Sequence, residues 1–188
     1  LKHMKKILAF GASNSRRSIN RELAIFAVNQ LKNIQFTILD LKDFALPVYS
    51  PGIEEATGVP DHARAFSNHI QDADGLVVSL AEHNGLHTAA FKNLWDWMSR
   101  LETTKIWHDK PMFLLAASPS RRPESNVMKV SKHLFPLFGA NIISTFSLPS
   151  FNHFFKDDDI TEPGLKAEFQ LQLNQFQSYI SEHQNNQS

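Results

Sequence analysis

The segment from Gly11 to Asn20 holds three serines, two asparagines and two arginines within ten residues. It follows the apolar run 7–10 and precedes a helical pattern of apolar residues over 23–31. A strand, a turn and a helix start in this order direct backbone N–H groups and the positive end of the helix dipole to one point. Serine hydroxyls add further donors. The pattern therefore predicts a phosphate-binding loop.

The serines of this loop have two interpretations from the residues alone: they cap a helix, as serine often does, or they bind phosphate. The loop has neither the Gly-x-Gly-x-x-Gly of a dinucleotide fold nor the Gly-Lys-Ser/Thr of a P-loop. A serine-rich loop suits the single phosphate of a mononucleotide, and flavin mononucleotide (FMN) is the candidate. The predicted ligands are Ser13, Ser15, Arg16, Ser18, Ile19 and Asn20.

Two further polar segments follow apolar strand patterns. In the first, Asn and Gly tolerate left-handed backbone angles, so the chain can turn sharply and expose N–H groups toward the acceptors of a flavin ring. A flat imidazole from the same segment can lie against the ring. The second segment reaches the same edge of the sheet. The predicted cofactor-binding residues are Ala81, Glu82, His83, Asn84 and Gly85 in the first segment, and Ser118, Pro119 and Ser120 in the second.

Several side chains near these segments have competing interpretations. His83 and His87 have the spacing of a metal pair, but a glycine turn separates them and no third ligand is evident, so no metal site is predicted. Glu82 is a general base or a structural carboxylate. The structural role is favoured because hydride transfer through a flavin needs no base, and for the same reason no catalytic side chain is predicted. Arg121 and Arg122 are solvated or attract the phosphates of NADPH.

The helical pattern that follows residues 81–85 carries an aromatic stripe of Phe91, Trp95 and Trp97. Such a stripe belongs either to the core or to a subunit interface, and the interface is favoured for part of it. Lys92 and Asp96 are four residues apart, which predicts a surface ion pair.

Composition restricts the class of protein. The chain has 188 residues, 42% of them hydrophobic, which suits one α/β domain. Nineteen basic residues balance nineteen acidic ones, so bulk charge favours neither nucleic acid nor an anionic membrane as a partner. There are no cysteines, which excludes disulfides and thiolate chemistry.

The division of the chain is simple. We interpret Leu1–His3 as a cloning remnant, 4–184 as one domain and 185–188 as a frayed end, and we expect a cytoplasmic location.

Short apolar runs alternate with longer amphipathic stretches. Strands are predicted at Lys6–Phe10, Gln35–Asp40, Gly75–Ala81, Met112–Ala117 and Asn141–Phe146, and helices at Asn20–Lys32, Pro60–Asp72, Thr88–Leu101, Glu124–Phe138 and Glu162–His183. The strands lack polar alternation, which indicates burial on both faces. We expect a flavodoxin-like three-layer α/β/α sandwich whose five-stranded parallel sheet has the order 2-1-3-4-5. Asp43–Gly58 is a long connection with little regular pattern, either a passive crossing or a functional loop.

The loops together resemble those of the NADPH-dependent FMN reductase family, from about Met4 to Phe155. That family opens with Gly-Ser-x-Arg-x-x-Ser-x-Asn after a strand. Ser13, Ser18 and Asn20 match it, with Ser15 at the usual place of the arginine and Arg16 one place later. The family's Pro-Glu-Tyr-Asn-Gly appears here as Ala-Glu-His-Asn-Gly at 81–85. Its Leu-Lys-Asn-x-x-Asp-Trp appears as Phe-Lys-Asn-Leu-Trp-Asp-Trp at 91–97. The third family loop, Ser-Pro-Gly-Gly-Arg-Gly-Gly, is glycine-poor in this chain.

The resemblance implies an FMN-dependent NAD(P)H oxidoreductase. Hydride would pass from NADPH or NADH through bound FMN to a quinone, azo compound, flavin or similar acceptor, with ping-pong kinetics. It also implies a homodimer or homotetramer, with the aromatic helix and the loop 44–58 near the subunit boundary. The alternatives are a non-enzymatic flavodoxin-like electron carrier and a flavin-binding regulatory protein. The neutral net charge disfavours the carrier, because flavodoxins are usually acidic.

Overall fold

A parallel sheet with helices on both faces organises the chain, and the computed structural model describes residues 4–101 and 105–182. The strands are β1 (Lys5–Gly11), β2 (Ile34–Asp40), β3 (Gly75–Leu80), β4 (Glu82–His83), β5 (Leu86–His87), β6 (Pro111–Ala117), β7 (Asn141–Leu148), β8 (Phe155–Lys156) and β9 (Asp159–Ile160). The α-helices are α1 (Ile19–Asn29), α2 (Pro51–Thr57), α3 (Asp61–Asp72), α4 (Ala89–Met98), α5 (Asn126–Leu137), α6 (Phe151–Phe154) and α7 (Pro163–Glu182). A single 3₁₀ turn spans Leu41–Asp43.

The five-stranded sheet has the order β2-β1-β3-β6-β7, and all of its neighbouring pairs are parallel. In order of appearance these strands are 2-1-3-4-5, so the flavodoxin-like order expected from the sequence is confirmed. All residues of β3 are buried, as expected for a strand covered on both faces. One face packs against α3, α4 and α5, and the other against α1 and α7.

The five expected helices are all present, as α1, α3, α4, α5 and α7, with ends that differ by a few residues. Side-chain caps set three of the starts. Ser18, Thr88 and Ser125 each accept a hydrogen bond from the backbone N–H group three residues later. The interpretations of Leu1–His3 and of 185–188 fall outside the described residues.

The connection 43–58 has more regular structure than its sequence pattern indicated, because α2 occupies 51–57. Ser50 caps the helix through Ile53 N at 3.3 Å, and Pro51 stands in its first turn, where a missing N–H group costs nothing. Gly58 ends the helix with a φ of 72°. A Ser-Pro start and a glycine stop were visible in the sequence. The two short hairpins, β4–β5 and β8–β9, were also not foreseen.

The expectation that part of the aromatic stripe on α4 forms a subunit interface is also wrong. Phe91, Trp95 and Trp97 are all buried within this chain. The Trp95 ring packs against Phe135 at 5.1 Å between centroids, and Trp97 Nε1 donates to the Pro47 carbonyl at 2.7 Å. The core interpretation therefore holds for all three rings. The expected ion pair on the same helix is confirmed, with Lys92 Nζ 2.6 Å from Asp96 Oδ1.

Among the described residues, no helix combines the length and apolarity that crossing a membrane requires.

Candidate active site

The carboxyl ends of β1, β3 and β6 lie side by side, and the three predicted ligand segments leave from them. Ala12 N donates to the Ser79 carbonyl at 2.7 Å, which continues the pairing of β1 with β3 beyond the last strand residue. Thr88 Oγ1 donates to the Ala12 carbonyl at 2.9 Å. The start of α4 is thereby attached to the start of the serine-rich loop. This edge lies at the point where the strand order reverses, which is the usual ligand site of such sheets.

Asn20 is the hydrogen-bonded hub of this edge. Its side chain is 3% exposed. Asn20 Oδ1 accepts hydrogen bonds from Ser79 Oγ and from Ala117 N, both at 2.7 Å. Asn20 Nδ2 donates to the Ala117 carbonyl at 3.1 Å. The first turn of α1 is therefore joined to both β3 and β6, and Asn20 positions the loop through protein contacts.

The loop serines shape the turn. Ser13 Oγ accepts from Ser15 N at 3.1 Å, and Ser15 Oγ accepts from Arg17 N at 3.3 Å. Ser18 Oγ caps α1 by accepting from Arg21 N at 3.1 Å. The capping interpretation of Ser18 is thus correct, and it does not exclude ligand binding, because each hydroxyl keeps its own proton for donation.

The start of α1 presents unused donors. Within residues 4–101 and 105–182, the backbone N–H groups of Ser18, Ile19 and Asn20 have no hydrogen-bond acceptor. The exposed side chains of Arg16 and Arg17 have no ion-pair partner in that same part of the chain. Donors and cations without a nearby carboxylate in the loop suit a phosphate dianion.

Gly11, at the end of β1, lies in close contact with the backbone of Arg21 in α1. A Cβ atom added to Gly11 would lie 2.4 Å from Arg21 N. The end of β1 therefore packs directly against the first turn of α1, which only glycine allows. This contact fixes the direction in which the free N–H groups of α1 point.

The second segment forms the β4–β5 hairpin. Asn84 and Gly85 are its two turn residues, with φ of 52° and 84°. A two-residue turn with both φ positive is the type that Asn-Gly favours. In the described part of the chain, neither of these residues has an acceptor for its backbone N–H group. His83 is exposed beside them. The hairpin thus offers two fixed donors and one imidazole to the space at the sheet edge.

Glu82 joins the hairpin to α5 and to the connection that precedes this helix. Its Oε2 accepts from Val127 N at 3.0 Å, in the first turn of α5. Its Oε1 lies 3.6 Å from Arg122 Nη2. These contacts support the structural role favoured for Glu82. The third segment is itself folded by Ser118 Oγ, which accepts from Ser120 N at 3.0 Å.

His87 belongs to β5, the second strand of the hairpin, and its side chain is half-buried. Its Nε2 is 2.7 Å from Ser131 Oγ, and its ring stacks on Phe135 at 5.8 Å. Burial, together with the nearby charge of Lys92, lowers the pKa of His87 to about 4. The imidazole is therefore neutral at physiological pH. Across the described residues, no group of three or more His, Asp and Glu side chains is arranged to hold a metal ion.

Four residues of this edge were not among the predicted site residues. Ser79 and Thr88 join its segments, and Arg17 adds a second free cation beside Arg16. Asn14 is exposed in the serine-rich loop. Ser79 had a visible signal, because it is the one hydroxyl in the apolar run 75–80. For Thr88 the sequence held no signal other than its position directly before a predicted helix.

Solved structures share this fold. The flavoenzyme NAD(P)H:(acceptor) oxidoreductase FerB from Paracoccus denitrificans superposes with a TM-score of 0.74, at 20% identity over 96% of this chain and 99% of that one. An azoreductase from Bacillus anthracis gives a TM-score of 0.64, at 18% identity over 95% of this chain and all of that one. At these identities the likeness concerns the fold.

Sequence relatives point the same way. A 2-hydroxy-1,4-benzoquinone reductase from Burkholderia sp is 34% identical over 113 residues, which are 60% of this chain and 60% of that protein. An NADPH:quinone oxidoreductase from Arabidopsis thaliana is 26% identical over 120 residues, 62% of this chain and 59% of that protein. The chain thus matches about 60% of the length of these relatives. The model of the NADPH-dependent FMN reductase family matches residues 5–153. The strand order, the three segments at its switch point and this match show that the chain belongs to the NADPH-dependent FMN reductase family.

Proposed function

We propose that this chain is an NAD(P)H-dependent oxidoreductase that binds FMN and reduces a small organic acceptor. One observation carries the proposal. Free backbone N–H groups at the start of α1 and in the Asn84–Gly85 turn lie at the same sheet edge. An FMN molecule needs donors of this kind at two places, its phosphate and the polar edge of its ring.

The residues present fit FMN. The phosphate would be held by the N–H groups of Ser18, Ile19 and Asn20, by the loop hydroxyls and by Arg16. The ring edge would be held by the hairpin from Ala81 to Gly85, and the ribityl chain and ring would lie under 118–120. When bound, FMN supplies the hydride chemistry.

The protein's own contribution is binding and orientation. Asn20 fixes the serine-rich loop to the sheet, and Glu82 fixes the hairpin to α5, so the donors are in position before a ligand binds. Donors that are already oriented lose little entropy on binding. No side chain of the site is required as acid or base, which agrees with a neutral, half-buried His87 whose ring nitrogen is hydrogen-bonded to Ser131.

We propose a quinone as the preferred acceptor, with azo compounds and free flavin as further substrates. The supporting observation is the naming of the Burkholderia and Arabidopsis relatives as benzoquinone and quinone reductases. The exposed imidazole of His83 stands where the family motif has a tyrosine. A flat quinone can pack against such a ring.

We further propose that the chain works as a homodimer or homotetramer in the cytoplasm. Val48, in the connection after β2, is 80% exposed, and Leu86, in the β4–β5 hairpin, is 56% exposed. Large exposed apolar side chains beside a ligand site are typical of a surface that a second subunit covers.

A flavin titration tests the proposed function. FMN is added to the purified protein while flavin absorbance and fluorescence are recorded, and NADPH is then added without oxygen. We expect stoichiometric binding, bleaching with NADPH and recovery of the colour on adding benzoquinone. Flavin that binds but is not bleached by NADPH or NADH would support the electron carrier instead. Failure to bind flavin would overturn the proposal.

A further inference from the structure

A cavity lies beside α1, on the side of this helix that does not face the sheet. Its volume of about 550 Å³ is within the usual range of small-molecule sites. It is bounded by α1, the β8–β9 hairpin and the start of α7, and its lining includes Glu22, Ile25, Phe26, Asn29, Asp158 and Asp159. The cavity shares no residue with the three segments assigned to the flavin.

The helical periodicity of α1 gives the cavity an apolar floor. One side of the helix is buried against the sheet and consists of Leu23, Ala24, Ala27 and Val28. The other side carries Ile25 and Phe26, which are only half-buried and line the cavity. The Phe26 ring is held by Phe155 in β8 and Phe169 in α7, at 5.3 and 5.0 Å between centroids. The floor therefore contains an aromatic ring in a fixed orientation.

The hairpin wall of the cavity is fixed to the rest of the fold. Lys166 in α7 forms an ion pair with Asp159. Thr161 N, directly after β9, donates to the Phe154 carbonyl at 2.8 Å. Asp158 lies in the turn of the hairpin with a φ of 56°. Its position beside α1 is thus set by the folded hairpin.

The charge of the cavity lining is negative. Lys166 is paired with Asp159, whereas Glu22 and Asp158 are exposed and have no ion-pair partner within 4–101 and 105–182. A metal ion is a poor match, because no three His, Asp or Glu side chains among the described residues are arranged to hold one. Carboxylates above an apolar floor suit an organic cation, whose body leaves water while its charge stays at the rim. An aromatic ring attracts the same kind of cation.

We propose that this cavity binds an organic ammonium ion with an apolar body. Glu22 and Asp158 are the ligands of the ammonium group, and Phe26 contacts the body. The inference does not rest on the proposed function. The family model matches residues 5–153, so Asp158 and the whole hairpin wall lie beyond the matched region. The site is therefore additional to the features that the family match covers.

The probe for the test is phenethylammonium, and its neutral control is phenethyl alcohol, which has the same ring and chain. Each is titrated into the purified chain, with and without FMN, while amide NMR spectra are recorded. We expect saturable shifts for the ammonium at α1 and the β8–β9 hairpin, and none at the Asn84–Gly85 turn. The alcohol, which lacks both ionic contacts, should bind about tenfold more weakly.

Variants that remove one charge assign the ligands. Glu22→Gln and Asp158→Asn keep the side-chain size, and asparagine tolerates the positive φ at 158, so both should fold. We expect each to weaken ammonium binding about threefold, the worth of one exposed ion pair, and to leave alcohol binding unchanged. Glu55→Gln is the matched control, because Glu55 is exposed on α2 and has no ion-pair partner in the described part of the chain.

Four results would each overturn the proposal: no saturable binding of the ammonium, equally tight binding of the alcohol, unchanged affinity in both Glu22→Gln and Asp158→Asn, or an equal loss in Glu55→Gln. Shifts at the Asn84–Gly85 turn in place of α1 would put the probe in the candidate flavin site and overturn it too. The FMN titration decides the proposed function separately. A chain that binds the ammonium but no FMN keeps this site and loses the proposed function.

Discussion

Asn20 and Ala117 form a reciprocal pair of hydrogen bonds at the centre of the candidate site. Ala117 N donates to Asn20 Oδ1 at 2.7 Å, and Asn20 Nδ2 donates to the Ala117 carbonyl at 3.1 Å. The pair repeats the hydrogen bonding of a strand ladder at the last residue of β6, with a side-chain amide in place of a neighbouring strand. Ser79 completes it by donating to the same Asn20 oxygen. A helix N-terminus is thereby fixed at the switch point of the sheet.

Replacing Asn20 tests this hub. In Asn20→Ala the hydroxyl of Ser79 and both peptide groups of Ala117 lose a buried partner, so we expect unfolding free energy to fall by about 2–4 kcal/mol. Urea denaturation measures the loss. Asn29→Ala is the control, since Asn29 is exposed near the end of the same helix and its loss costs about 0.5 kcal/mol or less. Equal effects of the two changes would contradict the hub.

Ser18 has two roles to be distinguished, the capping of α1 and the proposed binding of phosphate. Ser18→Ala and Ser50→Ala each remove a helix cap, from α1 and α2, and each should cost about 1 kcal/mol of stability. Only Ser18→Ala removes a hydroxyl from the proposed phosphate site. We expect it to weaken FMN binding about tenfold, measured by flavin fluorescence, and Ser50→Ala to leave it unchanged. The double variant Asn20→Ala/Ser18→Ala should bind FMN more weakly still, and an unchanged affinity would refute the phosphate assignment.

We expect Glu82 to hold the hairpin mainly by accepting the hydrogen bond from Val127 N, and less by its negative charge. Glu82→Gln keeps an oxygen that can accept from Val127 N and loses only the ion pair with the exposed Arg122. We therefore expect near-normal flavin affinity in Glu82→Gln and a loss of about tenfold in Glu82→Ala, where Val127 N has no acceptor. The comparison is made by flavin titration. Equal losses in both variants would show that the carboxylate charge acts directly.

The depressed pKa of His87 predicts an acid sensitivity of folding. Burial lowers the pKa from its ordinary value near 6.5 to about 4. Between these two values the unfolded chain binds a proton that the folded chain does not, so stability is complete above about pH 6.5 and declines as the pH falls toward 4.

The size of this effect is about 2 kcal/mol, allowing for the partial exposure of the ring. Unfolding free energies of the wild type and of His87→Gln are compared at several pH values, with the other titrating groups common to both. The wild-type curve should be steeper by this amount between pH 6.5 and 4. Parallel curves would assign the acid sensitivity to other groups.

An apolar contact between subunits is expected at Val48. Val48→Glu adds a charge to a side chain that is 80% exposed, so folding should change by less than about 0.5 kcal/mol. Burying that charge between two subunits would be costly. Light scattering after gel filtration should therefore show a smaller species. Leu171→Glu is the matched control, because Leu171 is 65% exposed on α7. Both variants retaining the wild-type mass would exclude Val48 from the interface.

The sequence predicted the sheet order, the five long helices and the meeting of three polar segments at one sheet edge. Apolar runs such as 75–80 and amphipathic stretches such as 61–72 are local patterns, and local patterns set element type and order. The parallel connections then leave few topologies, and those bring the three segments to one edge. The Asn-Gly pair at 84–85 likewise predicts its own turn, because the constraint on φ is local.

Tertiary structure decided what the individual side chains do. Asn20 was predicted to bind the cofactor, and the structure adds that its side-chain amide bonds to Ser79 and Ala117, 59 and 97 positions away along the chain. Trp95 was expected near an interface, and the packing of α4 against α5 encloses it. The cavity beside α1 exists because the β8–β9 hairpin packs against this helix through Phe155 and Phe26. Such contacts join residues that are far apart along the chain. Local sequence patterns do not specify which of these residues come together in the fold.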